Sequence, residues 1–287
     1  MTLVISAPAK LNLGLEVVGR RPDGLHELVS IMVNVGLADE VTVVEGQGTE
    51  LSGTYAAAVN PDDELGWGAL KALEAEAGRP LGLGLRVEKR IPVGGGLGGG
   101  SADAAAVLRA APAMGVEVAP ERLAEIAQGL GADVPFQLLG GAALAMGTGE
   151  RLEPLELEQT WLAVGFAGIP ISTARVFGEL RPDEWGTGKA VEAAARAIRA
   201  GIGAPAVARL PNDLLAPASR LYPELESLLA TLRKRGWDPR LTGTGSSVFQ
   251  VCWEKSEAEA LCIRAWDVGM RAWAVPTIPA PMPPTVS

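Results

Sequence analysis

The sequence predicts an α+β protein built as two lobes that share a cleft. Three observations carry this. The opening stretch alternates with a period of two, strand-like and helix-like segments come in blocks rather than in strict alternation, and the pattern restarts with an apolar strand at Trp161. A boundary near residues 153–160 then separates a first lobe, 1–153, from a second, 154–275, followed by a Pro-rich tail expected to be mobile over 276–287.

The composition agrees with a globular chain and excludes several classes. With 287 residues, 48% of them hydrophobic, the chain can bury a sizeable core in each lobe and is not disordered. A formal charge of -9 gives no general attraction for nucleic acid or an anionic membrane, so an anionic ligand needs a local site. Two cysteines, Cys252 and Cys262, do not make a disulfide framework, and no Cys or His cluster offers metal ligands. The N-terminal stretch lacks the basic region and cleavage site of a signal peptide, and no apolar run is long enough to span a bilayer, which leads to the expectation of a cytoplasmic protein.

In chain order, Ile5, Ala7, Ala9, Leu11, Leu13, Leu15 and Val17 fall on one side of an extended strand, and Lys10 and Asn12 fall together on the other. A turn-rich segment, GRRPDGLHEL, precedes a second strand at DEVTVVE. DELGWGALKALEAEAG reads as a helix closed by Gly78, LGLGLRVEKRIP as extended structure, and SADAAAVLRAAPAM as a strong helix. Within APERLAEIAQGLGADVPF a helix is expected with Pro120 near its start and Gly129 or Gly131 near its end, and a hairpin is expected around GTGE. The second lobe offers the strand WLAVGFAG and helices at TARVFGEL, GKAVEAAARAIRAG and YPELESLLATLRKRG. Strands PRLTG and SSVFQVCW then flank a second Gly-rich turn before a final helix, SEAEALCIRAWDV.

Between strand and helix, Gly94–Gly100 has six glycines in seven positions. The spacing satisfies the dinucleotide pattern G-x-G-x-x-G, but so glycine-rich a run satisfies almost any glycine pattern, and the acidic residue expected about twenty positions on falls near Glu117 to Glu121, where a helix begins. No Lys precedes Ser101 as a Walker A loop requires, and the protein-kinase signatures are missing. A plain loop would not need so many glycines, each of which costs chain entropy. The surviving physical reading is an anion cradle of backbone N–H groups at a helix N-terminus, with Ser101 as helix cap, phosphate contact or metal ligand.

The pattern PVGGGLGGGSA at Pro92–Ala102 resembles the phosphate motif of the GHMP kinase superfamily. PAKLNLGL at Pro8–Leu15 and LTGTGSSVF at Leu241–Phe249 resemble its first and C-terminal motifs, in the same order. RRPDGLHEL, EKRIPVGGGLGGGSADAA and GADVPF resemble the branch that phosphorylates a cytidine-diphosphate-linked methylerythritol on the non-mevalonate route to isoprenoids, and the likeness runs from about residue 6 to 275. The resemblance implies the two-lobed GHMP kinase fold with the active site between the lobes, ATP and Mg2+ as cofactors, and transfer of the γ-phosphoryl group to the acceptor's 2-hydroxyl. Asp133 would be the base and Lys10 its charge partner. Lys89, Pro92, Gly94, Gly95, Gly96, Leu97, Gly98, Gly99, Gly100, Ser101 and Asp103 would bind ATP, Ser101 being a possible metal contact. Asn12, His26, Thr173, Phe177, Gly243, Thr244 and Gly245 would bind the acceptor.

On the residues alone, Lys10 also reads as a solvated lysine, Asp133 as a turn or capping residue and Phe177 as a core aromatic. Four positions depart from the family pattern: Leu25 in place of Tyr beside the cytosine, Ala102 in place of a second Ser in the phosphate loop, Glu64 in place of Asn near the adenine, and Leu215 in place of Glu. The alternative is a GHMP kinase for another small alcohol, such as mevalonate or homoserine. A small molecule and ATP are the expected partners, with no nucleic acid or membrane.

Overall fold

A computed structural model describes residues 2–278 and 285–286. The first half comprises β1 (Leu3–Arg20), β2 (His26–Glu45), β3 (Thr49–Ser52), α1 (Leu65–Ala77), β4 (Leu83–Glu88), α2 (Gly99–Arg109), α3 (Pro120–Leu130), α4 (Val134–Leu139), β5 (Ala142–Gly147) and β6 (Arg151–Leu155). The second half holds β7 (Trp161–Phe166), α5 (Thr173–Glu179), α6 (Lys189–Arg199), α7 (Ala204–Val207), α8 (Leu215–Leu221), α9 (Pro223–Lys234), β8 (Arg240–Leu241), β9 (Ser247–Cys252), α10 (Lys255–Trp266), β10 (Arg271–Ile278) and β11 (Thr285–Val286). Strands and helices come in blocks, which makes this the expected α+β architecture.

One sheet runs through both halves in the order β11-β1-β2-β10-β7-β9-β8, with β4 and β5 also pairing with β2. The join is β10, which pairs with β7 along Arg271–Pro276 and then with β2 through Thr277↔Val35 and Ile278↔Asn34. The tail expected to begin at residue 276 therefore starts inside a strand; of the rest of that segment, 279–284 and 287 lie outside the described residues.

The alternating apolar residues of β1 enter three cores in turn. Leu3, Ile5 and Ala7 pack with α1 and α2, Ala9, Leu11 and Leu13 pack in a middle cluster that also holds Val164 and Phe249, and Leu15 and Val17 reach the core under α8, α9 and α10. Its polar positions are covered as well: Lys10, Asn12 and Glu16 are 6%, 5% and 5% exposed. A half-buried strand was expected; the second half of the chain, clasping β1 through Leu15 N–H to Pro211 O and Asp213 N–H to Leu15 O, supplies the missing cover. At Gly14 a Cβ would come 2.6 Å from Leu210 Cβ, so only glycine permits this close approach.

Three local expectations change. The segment before DEVTVVE is not merely turn-rich, because β2 begins at His26 and follows β1 antiparallel from His26 to Val43. The helix expected to end near Gly129 or Gly131 does end there, as α3 at Leu130 with Gly131 leaving helical geometry. Val134–Leu139 then forms a second, short helix that was not expected, α4, with Pro135 in its first turn. Ser101 is not the cap of α2: Gly98 is, and Ser101 stands inside the first turn.

Beneath the glycine loop lies a buried cluster of charge. Lys89 Nζ is bound to Asp39 Oδ2 at 2.5 Å and also to Asp103 Oδ2, while Asp39 Oδ1 accepts from the N–H groups of Arg90 (2.5 Å) and Ile91 (2.7 Å). Burial alone would lower the Lys89 pKa, but Asp103 and Asp39 outweigh it and hold the ammonium above its ordinary value. Glu64 caps α1 by accepting from Trp67 N–H, while its other oxygen, Oε1, and Asp103 Oδ1 are buried without a hydrogen-bond partner. Three carboxyl groups thus surround one ammonium. Burial pushes both Asp103 and Glu64 above the usual carboxylate range, more than the attraction of Lys89 pulls them down. An unpartnered buried oxygen on each of these two raised carboxyl groups is relieved by a retained proton, which the pair shares.

Two outcomes follow from the cluster. Lys89→Met, which leaves the buried carboxyl groups of Asp39 and Asp103 with no countercharge, should cost about 3 to 5 kcal/mol in urea unfolding; a change under about 1 kcal/mol would show the ion pairs are dispensable. Because the folded pKa values of Glu64 and Asp103 are raised, the contribution of the shared proton is complete at acid pH and is lost as pH rises through those values. Glu64→Gln supplies a permanent N–H donor, so between pH 5 and pH 8 the wild type should lose stability relative to this variant; parallel pH profiles would contradict the shared proton.

Candidate functional site

The glycine loop enters from β4 and leaves into α2, and its backbone alternates: Gly94, Gly96 and Gly98 have φ of 73°, 75° and 68°, a left-handed region that side chains avoid. Alternation of this kind turns successive N–H groups to one side, forming an anion-binding concavity. The carbonyls of Gly95 and Leu97 are tied back, accepting from Ser247 N–H and Lys10 N–H. Among the described residues, the N–H groups of Gly94 to Gly98 donate no hydrogen bond. They line a cavity of about 260 Å³ that runs from Val59 and Glu64 past Pro92 to Ser101. This is the geometry of a phosphate cradle, and the N-terminus of α2 adds its dipole.

Lys10 stands at the inner end of the cradle. A Cβ on Gly98 would come 2.9 Å from Lys10 Cγ, so the lysine stem runs beneath the loop. Its Nζ donates to Asn12 Oδ1 at 2.9 Å and lies 3.3 Å from Asp133 Oδ2. Asn12 is held in turn by Ser30, which receives Asn12 Nδ2 at 2.8 Å and donates to Gly14 O, and by Thr242, whose Oγ1 accepts from Asn12 N–H. Asp133 keeps 37% of its side chain exposed at the break between α3 and α4. Arg109 of α2 fixes that helix, donating from Nη1 to Gln137 O at 2.6 Å, and its own burial lowers its pKa to about 10.

From the second half, the turn Gly243–Gly245 closes on the same point. A Cβ on Gly243 (φ 55°) would be 3.5 Å from Asn12 Oδ1 and 4.0 Å from Lys10 Nζ, and Asn212 Nδ2 pins this turn through the carbonyls of Leu241 and Gly243. Thr244 and Thr173 share a hydroxyl hydrogen bond of 3.2 Å. Farther along the cleft, the rings of His26 and Phe177 lie 5.2 Å apart and tilted by 31°, and Trp185 meets His26 edge to face at 6.5 Å. Burial, with a smaller push from Arg20, lowers the His26 pKa, so its ring is neutral at pH 7 and has one donor and one acceptor nitrogen.

The structure therefore brings Lys10, Asn12, the glycine loop, Asp133 and the 243–245 turn together, with His26, Thr173 and Phe177 along one arm. Lys89 and Asp103 lie behind the loop with their charged atoms on each other, and Lys89 also lines the cavity. Ala102 is 1% exposed in the core under α2, and a hydroxyl at that position would point into apolar packing rather than into the cradle. Asn34, Asn212, Thr242, Gln137 and Trp185 were not singled out from the sequence. Gln137, one helical turn beyond Asp133, had a readable signal in that spacing; the others are brought in by tertiary contacts alone.

Two family models match: the GHMP kinases N terminal domain over residues 64–141 and the GHMP kinases C terminal region over 190–262. A 4-diphosphocytidyl-2-C-methyl-D-erythritol kinase of Thermus thermophilus is 40% identical over 272 residues, covering 93% of this chain and 94% of that protein. Its namesake in Gloeobacter violaceus is 34% identical over 285 residues, covering 96% and 94%. A crystal structure of 4-(cytidine 5'-diphospho)-2C-methyl-D-erythritol kinase superposes with a TM-score of 0.81 at 38% identity, covering 96% of this chain and 98% of the other. A homoserine kinase from Cytophaga hutchinsonii, at 15% identity, shares the fold with a TM-score of 0.71, covering 100% and 97%. With its alternating glycine cradle set against a buried lysine and an exposed aspartate, the chain belongs to the 4-diphosphocytidyl-2-C-methyl-D-erythritol kinase family, a branch of the GHMP kinases.

Proposed function

We propose that the protein transfers the γ-phosphoryl group of ATP to the 2-hydroxyl of 4-diphosphocytidyl-2-C-methyl-D-erythritol, with Asp133 as base and Lys10 as its charge partner. The observation that carries this reading is the convergence of Lys10 Nζ, 3.3 Å from Asp133 Oδ2, on the mouth of a loop whose N–H groups are unpaired. Phosphoryl transfer asks a protein mainly for positioning and for stabilisation of charge. The loop and the α2 N-terminus hold the phosphate chain. Asp133, the half-exposed carboxylate of the pair, accepts the acceptor's hydroxyl proton, and the Lys10 ammonium offsets charge on the group in transfer.

The aromatic arm suits a pyrimidine. His26 and Phe177 offer a ring face and ring nitrogens, and Thr173 and Thr244 offer hydroxyls. Leu25 is 55% exposed and presents no ring, and Trp185, edge-on to His26, adds a further aromatic neighbour. Mg2+ fits as an ion carried by the triphosphate. Ser101 Oγ, inside the first turn of α2, is the protein oxygen at the cradle that would meet it, and no group of three or more His, Cys, Asp or Glu among the described residues forms a cage of its own. Bound there, Mg2+ would neutralise phosphate charge. No helix among the described residues is long and apolar enough to cross a membrane. Residues 1–153 act in this reading as the ATP lobe and 154–275 as the second wall of the acceptor site.

Turnover of ATP with the cytidyl-linked acceptor, set against mevalonate and homoserine, tests the function; a preference for either simpler alcohol would overturn the acceptor assignment. Asp133→Asn should lower turnover by about 10²- to 10⁴-fold with ATP binding little changed, and near wild-type turnover would remove Asp133 from the base role. Gly98→Val places side-chain carbon against the Lys10 stem in a left-handed backbone, so ATP affinity should fall; an unchanged dissociation constant would count against the cradle.

A further inference from the structure

Gln137 is a buried amide that the proposed chemistry leaves unused. It is 1% exposed and lies one turn beyond Asp133 on α4, its N–H donating to Asp133 O at 3.0 Å. A relay of donors dictates which way its side chain faces. Gly141 N–H donates to Asn34 Oδ1 at 3.0 Å, so the Asn34 amide nitrogen must point the other way, where it donates to Gln137 Oε1 at 2.8 Å and to Ala9 O at 3.3 Å. Flipping the Gln137 amide would set two NH2 groups against each other. Its Nε2 is thereby turned away from Asn34, and among the described residues it finds no acceptor.

The direction in which that donor points matters. A Cβ on Gly98 would lie 3.4 Å from Gln137 Nε2 and 2.9 Å from Lys10 Cγ, which sets the amide at the seam between the lysine stem and the glycine loop. The amide nitrogen thus lies beneath the Gly98 backbone, beside the Lys10 stem. An unpaired buried donor costs free energy that an aliphatic side chain of the same length would avoid. A ligand oxygen at the seam would repay that cost.

We propose that Gln137 is a further phosphate-binding residue, its Nε2 donating to an oxygen of the terminal phosphate of a nucleoside triphosphate beside Lys10. The terminal phosphate is indicated because Gln137 shares α4 with Asp133 and borders Lys10, the two groups placed at the transferred phosphoryl. The inference rests on the kinase reading above.

Calorimetric binding of ATP and of ADP, each with Mg2+, to wild type, Gln137→Met and Gln137→Glu tests it. Gln137→Met removes the donor at constant length, and Gln137→Glu keeps an acceptor for Asn34 while replacing the donor with an oxygen. Loss of a hydrogen bond to a charged phosphate should weaken ATP about tenfold or more in both variants, and more in the Glu variant. In Gln137→Met the ADP affinity should stay within about twofold of wild type. Equal losses for ATP and ADP in Gln137→Met mark a packing role and overturn the assignment, as does an unchanged ATP affinity. If Gln137→Met does not fold, a Gln137→Glu loss no greater for ATP than for ADP overturns it equally. Wild type that binds no ATP would instead sink the kinase reading itself.

Discussion

One buried ammonium controls the geometry of the glycine loop at both of its ends. Lys89 grips Asp39, whose other oxygen fixes the N–H groups of Arg90 and Ile91 at the loop's entry, and it grips Asp103 in α2 just past the loop's exit. Glycine backbone is intrinsically mobile, and a cradle of unpaired N–H groups is useful only if it is already shaped before the ligand arrives. The ionic clamp supplies that order without placing any side chain in the cradle. It also carries an excess of carboxyl groups over ammonium, and burial holds Asp103 and Glu64 above the usual carboxylate range.

Strand β1 is the second organising element. Its backbone holds the loop through Lys10 N–H to Leu97 O, its Lys10 side chain reaches Asp133, and its Asn12 N–H engages Thr242 in the second half of the chain. Three segments far apart in sequence thus meet on two neighbouring same-face residues, Lys10 and Asn12. Farther along, Glu16 accepts from the N–H groups of Thr187 and Val191 at the start of α6, and Asp213 accepts from Val17 and Gly186 N–H. Buried carboxylates used in this way replace backbone partners that a loop crossing over the sheet would otherwise lack. The cleft between the halves is consequently a stapled one, with the sheet continuous across it through β10.

The departures from the family pattern fall into place unequally. Ala102 faces the core, so the cradle loses little by lacking a hydroxyl there. Leu25 leaves the pyrimidine arm without one ring, and Trp185 brings another from a distant segment. Glu64 caps α1 and joins the buried charge cluster, so its carboxyl is engaged with structure at the edge of the cavity. Leu215 packs on the core of the second half, and nothing in the structure explains the choice of leucine there.

Local pattern was enough to identify β1, the hairpin of β5 and β6, the helix α1 with its Gly78 cap, and the glycine loop between strand and helix, because each depends on periodicity or on turn chemistry a few residues long. The anion cradle of Gly94–Gly100 was likewise legible from residue types and spacing, whereas the chemistry at Lys10, Asp133 and Gly243–Gly245 was implied by the resemblance of their motifs to a known family. The length of β2, the short helix α4 after Asp133, and β10 as the bridge between halves were not legible, since each is decided by partners remote in sequence. The same holds for the role of Lys89 and Asp103 behind the loop and for the facing of Gln137. Whether a polar side chain meets a ligand or another buried side chain depends on which donors and acceptors are already satisfied around it, and only the folded chain brings those neighbours together.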